Sequence, residues 1–205
     1  MKRIVLILIT LSICGCVSMI VPKYTETRFS TDIKLSTFNS VLSQFVTRPT
    51  FAKFTDFENP ELTDAIYIQA DGYGGSYNSM IGYTKNTLSL EINKLTANYM
   101  VNAIDKYLQW EVKATEKSDL LNKLILITPA VERSNMKYQW EISFYSGNET
   151  NHYMLFKMCM LSSVIGKTCG IDIYIDKVNV LKLKSLINNY MDNKLDLSNR
   201  SDSYN

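Results

Sequence analysis

The stretch that decides the fold of this chain is KLTANYMVNAIDKYLQWEVKATEK, residues 94–117. Apolar side chains recur along it mainly at steps of four residues, whereas Asn98, Asn102 and Lys106 fall on the other side. This spacing is typical of an amphipathic helix with one buried face. The residues that we expect on the buried face are Leu95, Tyr99, Ala103, Tyr107 and Trp110, widened by Ile104 and Leu108. The stretch therefore predicts a helix over about 94–117 that packs against a sheet.

After this helix the sequence changes to the period of strands. Residues 124–127 form a continuous apolar run, and residues 138–144 alternate between apolar and polar side chains. Residues 153–161 and 170–175 follow as further strands. The links between these segments are too short for parallel crossovers, so neighbouring strands are expected to be antiparallel.

A second helix is expected over about 177–191, where apolar residues again recur at three and four. Asp176 or Asn179 supplies its N-cap. These elements predict a single α+β domain over residues 31–192, with an antiparallel sheet of about five to seven strands. The two helices are expected to cover one face of that sheet. The polar tail over residues 193–205 is expected to be disordered.

The segment before the long helix is less regular. Residues 65–70 and 88–92 have the composition of strands. A helix is predicted upstream of them, ending at Arg48 because the residue before a proline is pushed out of the helical region. Its apolar positions are Leu35, Phe38, Val41, Leu42 and Phe45. Between this helix and the first strand, Phe51, Phe54 and Phe57 alternate with charges and predict an aromatic loop.

The N-terminus has the parts of an export signal. Lys2 and Arg3 precede a predominantly apolar run of ten residues at 4–13, about half as long as a membrane-spanning helix needs. The sequence Ile13-Cys14-Gly15-Cys16 follows, with an aliphatic residue three before Cys16 and a small one directly before it. This segment resembles the signal peptide of bacterial lipoproteins. An ordinary secretory signal, or a buried N-terminal strand, is the alternative interpretation.

The resemblance implies that residues 1–15 are removed and that Cys16 is lipidated. The modified cysteine of this class carries at least two acyl chains, palmitate among them, which hold a protein stably to a membrane. Residues 16–30 then form the lipidated N-terminus and its tether. The expected location is the bacterial cell envelope, and Val17 after the acceptor favours the outer membrane, facing the periplasm, in a Gram-negative cell.

The balance of basic and acidic residues limits the kinds of partner that we expect this chain to bind. The chain has 22 basic and 20 acidic residues, and loss of Lys2 and Arg3 with the signal leaves 20 of each. A neutral chain with scattered charges lacks the basic stripe typical of proteins that bind nucleic acids or anionic lipids. We therefore expect no nucleic-acid partner, and the membrane is reached through the lipid anchor.

Cys159 and Cys169 are the only other cysteines of the predicted mature chain. They lie ten residues apart on what the pattern indicates are facing strands of a hairpin, so their Cα atoms are within reach of a disulfide. An oxidising exported compartment favours the bond. A redox-active or metal-binding pair is the alternative, although the chain has no Cys-x-x-Cys motif and a single histidine.

No catalytic constellation is evident in the sequence. His152 is the sole histidine, and its place beside a turn indicates a surface imidazole rather than a catalytic base. A pair of carboxylates for glycoside hydrolysis cannot be chosen from sequence spacing. The available carboxylates are Asp71, Glu91, Glu141, Asp172 and Asp176. We assign no catalytic residue, no metal and no cofactor.

The segment Asp71-Gly72-Tyr73-Gly74-Gly75-Ser76-Tyr77 is predicted to be a flexible hairpin tip. Asp71, Tyr73 and Tyr77, together with Phe51 and Phe54, are the candidate contacts for a partner or ligand. The function that we expect is a non-catalytic binding or structural role for an envelope lipoprotein, with an envelope protein or polymer as partner. A hydrolase acting on cell-wall or surface polymers, and a prophage-type exclusion or immunity lipoprotein, are the alternatives.

Overall fold

The computed structural model describes residues 23–58, 63–78, 82–133 and 136–197. Within these ranges, the side chains of residues 72–78, 82–86 and 133 are not described. The predicted signal peptide, Cys16 and residues 198–205 lie outside the described part. The elements in chain order are β1 (Tyr24–Phe29), β2 (Leu35–Asn39), β3 (Gln44–Arg48), β4 (Thr50–Phe57), β5 (Ala65–Asn78), β6 (Gly82–Asn93), α1 (Lys94–Lys117), β7 (Asn122–Ile127), β8 (Val131–Arg133), β9 (Met136–Ser146), β10 (His152–Ser162), β11 (Gly166–Cys169), β12 (Ile173–Asp176) and α2 (Lys177–Met191).

The strands form two sheets, in which each recorded pair is antiparallel. The smaller sheet has four strands in the order β1-β4-β5-β6. The larger sheet has eight strands, with the path β3-β2-β12-β10-β9-β7, while β11 lies beside β10 and β8 beside β9. The α+β class, the single domain and both helices are confirmed. The antiparallel strands are more numerous than expected and are divided between two sheets.

One hydrophobic core joins the two sheets and the two helices. Alternate residues of β9 and β10 face this core, as the period of two requires. The helices cover that face of the larger sheet, and the smaller sheet adds its apolar face to the same cluster. The central members are Ile66, Ile68 and Leu90 from the smaller sheet, Trp140, Ile142, Phe144 and Phe156 from the larger sheet, and Met100, Ile104, Tyr107, Leu183 and Ile187 from the helices.

The ends of α1 are fixed by local capping. The Asn93 side chain accepts hydrogen bonds from the backbone N–H groups of Leu95, at 3.1 Å, and Thr96, at 3.0 Å. Ser118 ends the helix in the left-handed conformation, with φ of 54°. The bounds Lys94–Lys117 agree with the helix predicted over about 94–117.

The buried face of α1 is only partly the predicted one. Leu95 and Tyr99 are 56% and 43% exposed, whereas Tyr107 is fully buried. Steps of four residues overshoot a full turn by about 40° each, so a line of such steps winds off the buried face. A set of buried positions alternates steps of three and four instead: Ala97, Met100, Ile104, Tyr107, Glu111 and Ala114. Thr96 and Ala103 are buried beside them.

The helix predicted upstream of Arg48 is wrong, because β2 and β3 form a hairpin there. The Asn39 side chain accepts hydrogen bonds from the N–H groups of Val41 and Leu42, at 3.0 and 3.1 Å. Asparagine in this role offers the backbone a turn in place of a helix. Phe45 and its neighbours in β3 are aromatic and β-branched residues, which fit a strand.

Three further segments differ from the sequence interpretation. The predicted tether over 16–30 includes β1, so the folded part begins earlier than residue 31. The aromatic loop is strand β4, and the segment 71–77 is not a tip but part of β5, which pairs with β6 with a register shift between Asp71 and Gly75. In the predicted disordered tail, Leu195 packs against the core.

His152 is buried, not a surface imidazole. Its Nδ1 lies 2.9 Å from the Ser146 hydroxyl oxygen, and its ring contacts Phe144 at 5.2 Å between centroids. The Tyr107 hydroxyl donates a hydrogen bond to the His152 carbonyl at 2.8 Å. Burial lowers the pKa of His152, because the charged imidazolium is poorly solvated there. This histidine therefore fastens the β9–β10 hairpin to α1.

Candidate functional site

Five aromatic rings gather on the face of the larger sheet that the helices leave uncovered. Their residues alternate along β10 and β12 with core residues, which places them on the opposite face. We call these residues the aromatic cluster: Phe38 of β2, Phe45 of β3, Tyr145 of β9, Tyr153 of β10 and Tyr174 of β12. They come from parts of the chain more than 130 residues apart, and only the sheet brings them together.

Phe45 is the centre of the aromatic cluster. Its ring stacks on Tyr153 at 4.1 Å and meets Tyr174 edge-on at 4.9 Å. Phe38 lies 5.2 Å away and Tyr145 6.0 Å away, all between ring centroids. These separations are those of attractive aromatic pairs. The contacts hold the β2–β3 hairpin on the sheet.

A glycine makes room for this packing. A Cβ atom at Gly147 would lie 2.9 Å from the Phe45 ring and 3.1 Å from the Tyr153 ring. Any larger residue at position 147 would push at least one of these rings aside. Gly147 is therefore part of the geometry that seats Phe45.

The phenols of Tyr153 and Tyr174 remain uncharged near neutral pH. Burial and the nearby Asp172 carboxylate raise the pKa of Tyr174, whose hydroxyl lies 3.3 Å from Asp172. Burial, with the charge of Asp176, raises the pKa of Tyr153. Asp172 is also paired with Lys157 at 3.1 Å. The cluster is thus a neutral aromatic surface with a compensated ion pair at its edge.

The hairpin above the cluster presents aliphatic side chains to solvent. We call residues 39–43 the hairpin tip; Val41 is 90% exposed and Leu42 57% exposed. The Asn39 hydrogen bonds and the left-handed Ser43, with φ of 49°, fix the turn that displays them. Phe38 is 47% exposed and extends the apolar surface from the tip to the cluster. Contiguous apolar surface that is exposed to solvent commonly marks an interaction site.

The residues predicted as contacts lie elsewhere. Phe51 is exposed on β4, with the Arg28 guanidinium 5.6 Å from its ring centroid. Phe54 points inward and meets Tyr190 of α2 edge-on at 6.4 Å. Asp71 is exposed, and the side chains of Tyr73 and Tyr77 lie outside the described part of the structure. The structure does not join Phe51 and Phe54 into one surface.

The two cysteines are joined by a disulfide. Cys159 and Cys169 are directly paired on β10 and β11, with their Cα atoms 4.0 Å apart. A Glu141 carboxylate oxygen lies within 4.8 Å of both sulfur atoms. It accepts a hydrogen bond from the Lys167 ammonium, and the bonded sulfurs are not thiolates. In this state the group is a structural crosslink rather than a metal site.

Four of the five carboxylates considered for catalysis, Glu91, Glu141, Asp172 and Asp176, have structural roles. Glu91 is buried; it accepts a hydrogen bond from the Tyr138 hydroxyl at 2.6 Å and one from Asn93 at 3.2 Å. Burial raises the pKa of Glu91, and these hydrogen bonds act in the opposite direction. Asp176 caps α2 by accepting from the Asn179 N–H at 2.9 Å. Glu141 and Asp172 are ion-paired with lysines, as described above.

The structure also reveals a carboxyl pair that the sequence did not indicate. Asp64 lies within hydrogen-bonding range of Asp56, and the pKa of Asp64 is raised by burial first and then by Asp56. Lys94 opposes this shift. A cavity of about 170 Å³ lies beside Asp64, Lys94 and Tyr190. Burial and the neighbouring carboxylate thus disfavour the ionised form of Asp64.

Comparison with known proteins adds no relative: the chain matches no protein-family model, no curated protein and no solved structure. Neither helix among the described residues is long and apolar enough to cross a membrane. The aromatic cluster was missed because Phe38 and Phe45 were assigned to a helix. A signal for it was nevertheless present, since Tyr174 occupies a polar position of the predicted strand 170–175, Tyr153 begins the predicted strand 153–161, and Tyr145 directly follows the predicted strand 138–144.

Proposed function

We propose that this protein is a lipid-anchored binding protein of the bacterial envelope, with no catalytic role of its own. The observation that carries the proposal is the rigid hairpin tip, with Val41 and Leu42 exposed above the aromatic cluster. The N-terminal resemblance to lipoprotein signals supports the location. If Cys16 is the anchor, β1 begins only eight residues later. A chain of that length reaches at most about 30 Å, so the domain would work next to the bilayer.

The partner that fits the hairpin tip best is a protein with an apolar pocket. Val41 and Leu42 offer no hydrogen-bonding groups in their side chains, whereas a polysaccharide needs such groups for recognition. Fixed aliphatic and aromatic side chains bind with little loss of conformational freedom, which favours affinity. The compensated charges around the cluster leave apolar contact as the main attraction.

The hydrolase alternative is not favoured by the carboxyl pair. Asp56 and Asp64 are close enough to hydrogen-bond. Glycosidase carboxyl groups stand about 5 to 9.5 Å apart to accommodate the sugar or a water molecule. An exclusion or immunity lipoprotein remains compatible with the proposal, because such a protein also requires an anchored domain with a protein partner.

The anchor is tested by mass spectrometry of the protein isolated from the membrane fraction. The mature chain should begin at Cys16 and carry the mass of its acyl chains, because Ile13 and Gly15 match the lipoprotein pattern. Cys16→Ser should leave the membrane fraction or remain unprocessed, while Cys14→Ser should be lipidated normally. An unlipidated wild-type chain, or loss of the lipid in Cys14→Ser but not in Cys16→Ser, would refute Cys16 as the acceptor.

The binding surface is tested by photo-crosslinking in intact cells, with the crosslinker placed at Ser40 within the hairpin tip. Val41→Ser with Leu42→Ser should reduce capture of the partner about ten-fold or more, since two exposed aliphatic groups of about 1 to 1.5 kcal/mol each are removed from the contact. The melting temperature should stay the same, because both side chains are exposed.

The chain supplies a matched control in its other aliphatic turn. Val164 and Ile165 are also exposed, and the Ser162 hydroxyl accepts hydrogen bonds from their N–H groups at 3.2 and 3.3 Å. Val164→Ser with Ile165→Ser should leave capture at Ser40 unchanged. Equal loss of capture in both double variants, or crosslinks to lipid instead of protein, would contradict the proposed surface.

A further inference from the structure

A basic pocket lies where α1 ends and β7 begins, on the helix-covered side of the larger sheet. We call it the Trp110 pocket; its volume is about 260 Å³. It is lined by Trp110, Lys113, Ala114 and Lys117 of α1, Asp119 and Leu121 of the connection, and Lys123 of β7. Trp110 is half-buried and meets Phe144 edge-on at 6.2 Å. The Trp110 pocket and the aromatic cluster are therefore on opposite faces of the sheet.

Lysine side chains converge on this tryptophan from two elements. The Lys106 ammonium lies 5.0 Å and the Lys123 ammonium 5.4 Å from the centroid of the Trp110 ring. Lys113 and Lys117 line the same cavity. Within the described part of the chain, none of these four lysines makes an ion pair; the recorded pairs involve other basic residues. The carboxylate of Asp119 also lines the pocket and is the one negative charge among its lining residues.

A favourable interaction with the dipole of α1 explains the position of only some of these lysines. A lysine in the last turn, such as Lys117, interacts favourably with the helix dipole. Lys106 lies three turns earlier, and Lys123 is in a strand, so neither gains from that end of the helix. Lys113, Lys117 and Lys123 line one cavity and Lys106 lies over the same tryptophan ring, so their like charges repel each other and an anion in the cavity would relieve that repulsion. The formal neutrality of the predicted mature chain thus hides a local concentration of positive charge.

We propose that the Trp110 pocket binds a phosphate group carried by an envelope ligand. Lysine ammoniums provide several charge-assisted donors for phosphate oxygens. Ala114, Leu121 and the Trp110 ring supply an apolar wall for the group to which the phosphate is attached. Either a phospholipid headgroup or a soluble phosphate ester presents this chemistry. The site is separate from the hairpin tip, so it does not depend on the proposed protein partner.

The test uses the full chain, purified in a non-ionic detergent and followed by tryptophan fluorescence and isothermal titration calorimetry. The probes are inorganic pyrophosphate, soluble short-chain phosphatidylglycerol and phosphatidylcholine of the same chain length. Binding of pyrophosphate alone would identify a soluble phosphate ligand. Stronger binding of phosphatidylglycerol than of the other two would identify a lipid headgroup. Absence of binding to both pyrophosphate and phosphatidylglycerol would overturn the proposal.

Matched variants separate a site from general charge attraction. Lys113→Gln with Lys123→Gln should weaken binding at least about ten-fold, because two charge-assisted contacts are lost. Lys34→Gln with Lys137→Gln removes the same charge at exposed positions away from the pocket and should change binding less than about two-fold. Equal weakening in both would overturn the site. Crosslinking at Ser40 should be unaffected by the pocket variant, so failure here leaves the binding surface of the hairpin tip untouched.

Discussion

Replacement of Tyr107 by alanine is expected to lower the free energy of unfolding by about 3 to 5 kcal/mol. Tyr107 is fully buried on α1, and its ring lies 5.5 Å from that of Phe144. Its hydroxyl donates a hydrogen bond to the His152 carbonyl at 2.8 Å. The alanine variant therefore loses core packing and leaves that buried carbonyl without its donor. A domain of this size is stable by only about 5 to 15 kcal/mol, so the loss should be large in urea denaturation.

Two further variants show how much of the stability lost in Tyr107→Ala comes from the hydroxyl and how much from burial of the ring. Tyr107→Phe keeps the ring and removes the hydroxyl, and should cost about 1 to 3 kcal/mol through the unsatisfied carbonyl. Tyr99→Ala on the same helix removes a ring that is 43% exposed, and should cost less than about 1 kcal/mol. If Tyr99→Ala destabilised the protein as much as Tyr107→Ala, the buried face assigned to α1 would be wrong.

Tyr99 and Tyr107 also show which features of the helices could be predicted from the sequence. Strong amphipathic spacing located α1 and α2 to within a residue, because helix period and capping residues are local properties. Tyr99 and Tyr107 looked alike in that pattern. Only the position of the sheet decides which of them is covered, and that position depends on distant strands. The helical face could therefore be predicted approximately but not residue by residue.

The β2–β3 hairpin was missed for a related reason. Leu35, Phe38, Val41, Leu42 and Phe45 have the spacing of a helix, and in a strand the same residues fall on both faces. The turn at Asn39 and the aromatic contacts of Phe45 with β10 and β12 decided that this segment forms strands and not a helix. Tertiary contacts of this kind override local propensity.

The candidate sites were even less accessible to sequence reasoning. The aromatic cluster needs residues from five strands, and the Trp110 pocket needs Lys123 beside a helix that ends at Lys117. A count of charges over the whole chain averages out a cluster of four lysines. By contrast, Cys159 and Cys169 could be paired in advance, since a hairpin places residues of one local segment opposite each other.

Loss of that disulfide is the second large effect that we expect. The bond closes a short loop between β10 and β11, and its removal should lower the free energy of unfolding by about 3 kcal/mol at most. The loss arises mainly because the unfolded chain regains conformational freedom. Cys159→Ala with Cys169→Ser is the suitable variant, since Cys159 is buried in an apolar site and Cys169 is exposed. Denaturation of this variant and of the wild type, each with and without reductant, measures the effect.

Treatment with reductant separates the stability contributed by the disulfide bond from the stability contributed by packing of the two cysteine side chains. Reduction should lower the unfolding midpoint of the wild type and leave that of the double variant unchanged. A single Cys169→Ser variant should behave like the reduced wild type, because it breaks the bond but keeps Cys159 in the core. If reductant had no effect on the wild type and mass spectrometry found two free thiols, the bond would be absent in the cell. The pair beside Glu141 would then have to be reconsidered as thiol chemistry, and the inference of an oxidising compartment would lose its support from these cysteines.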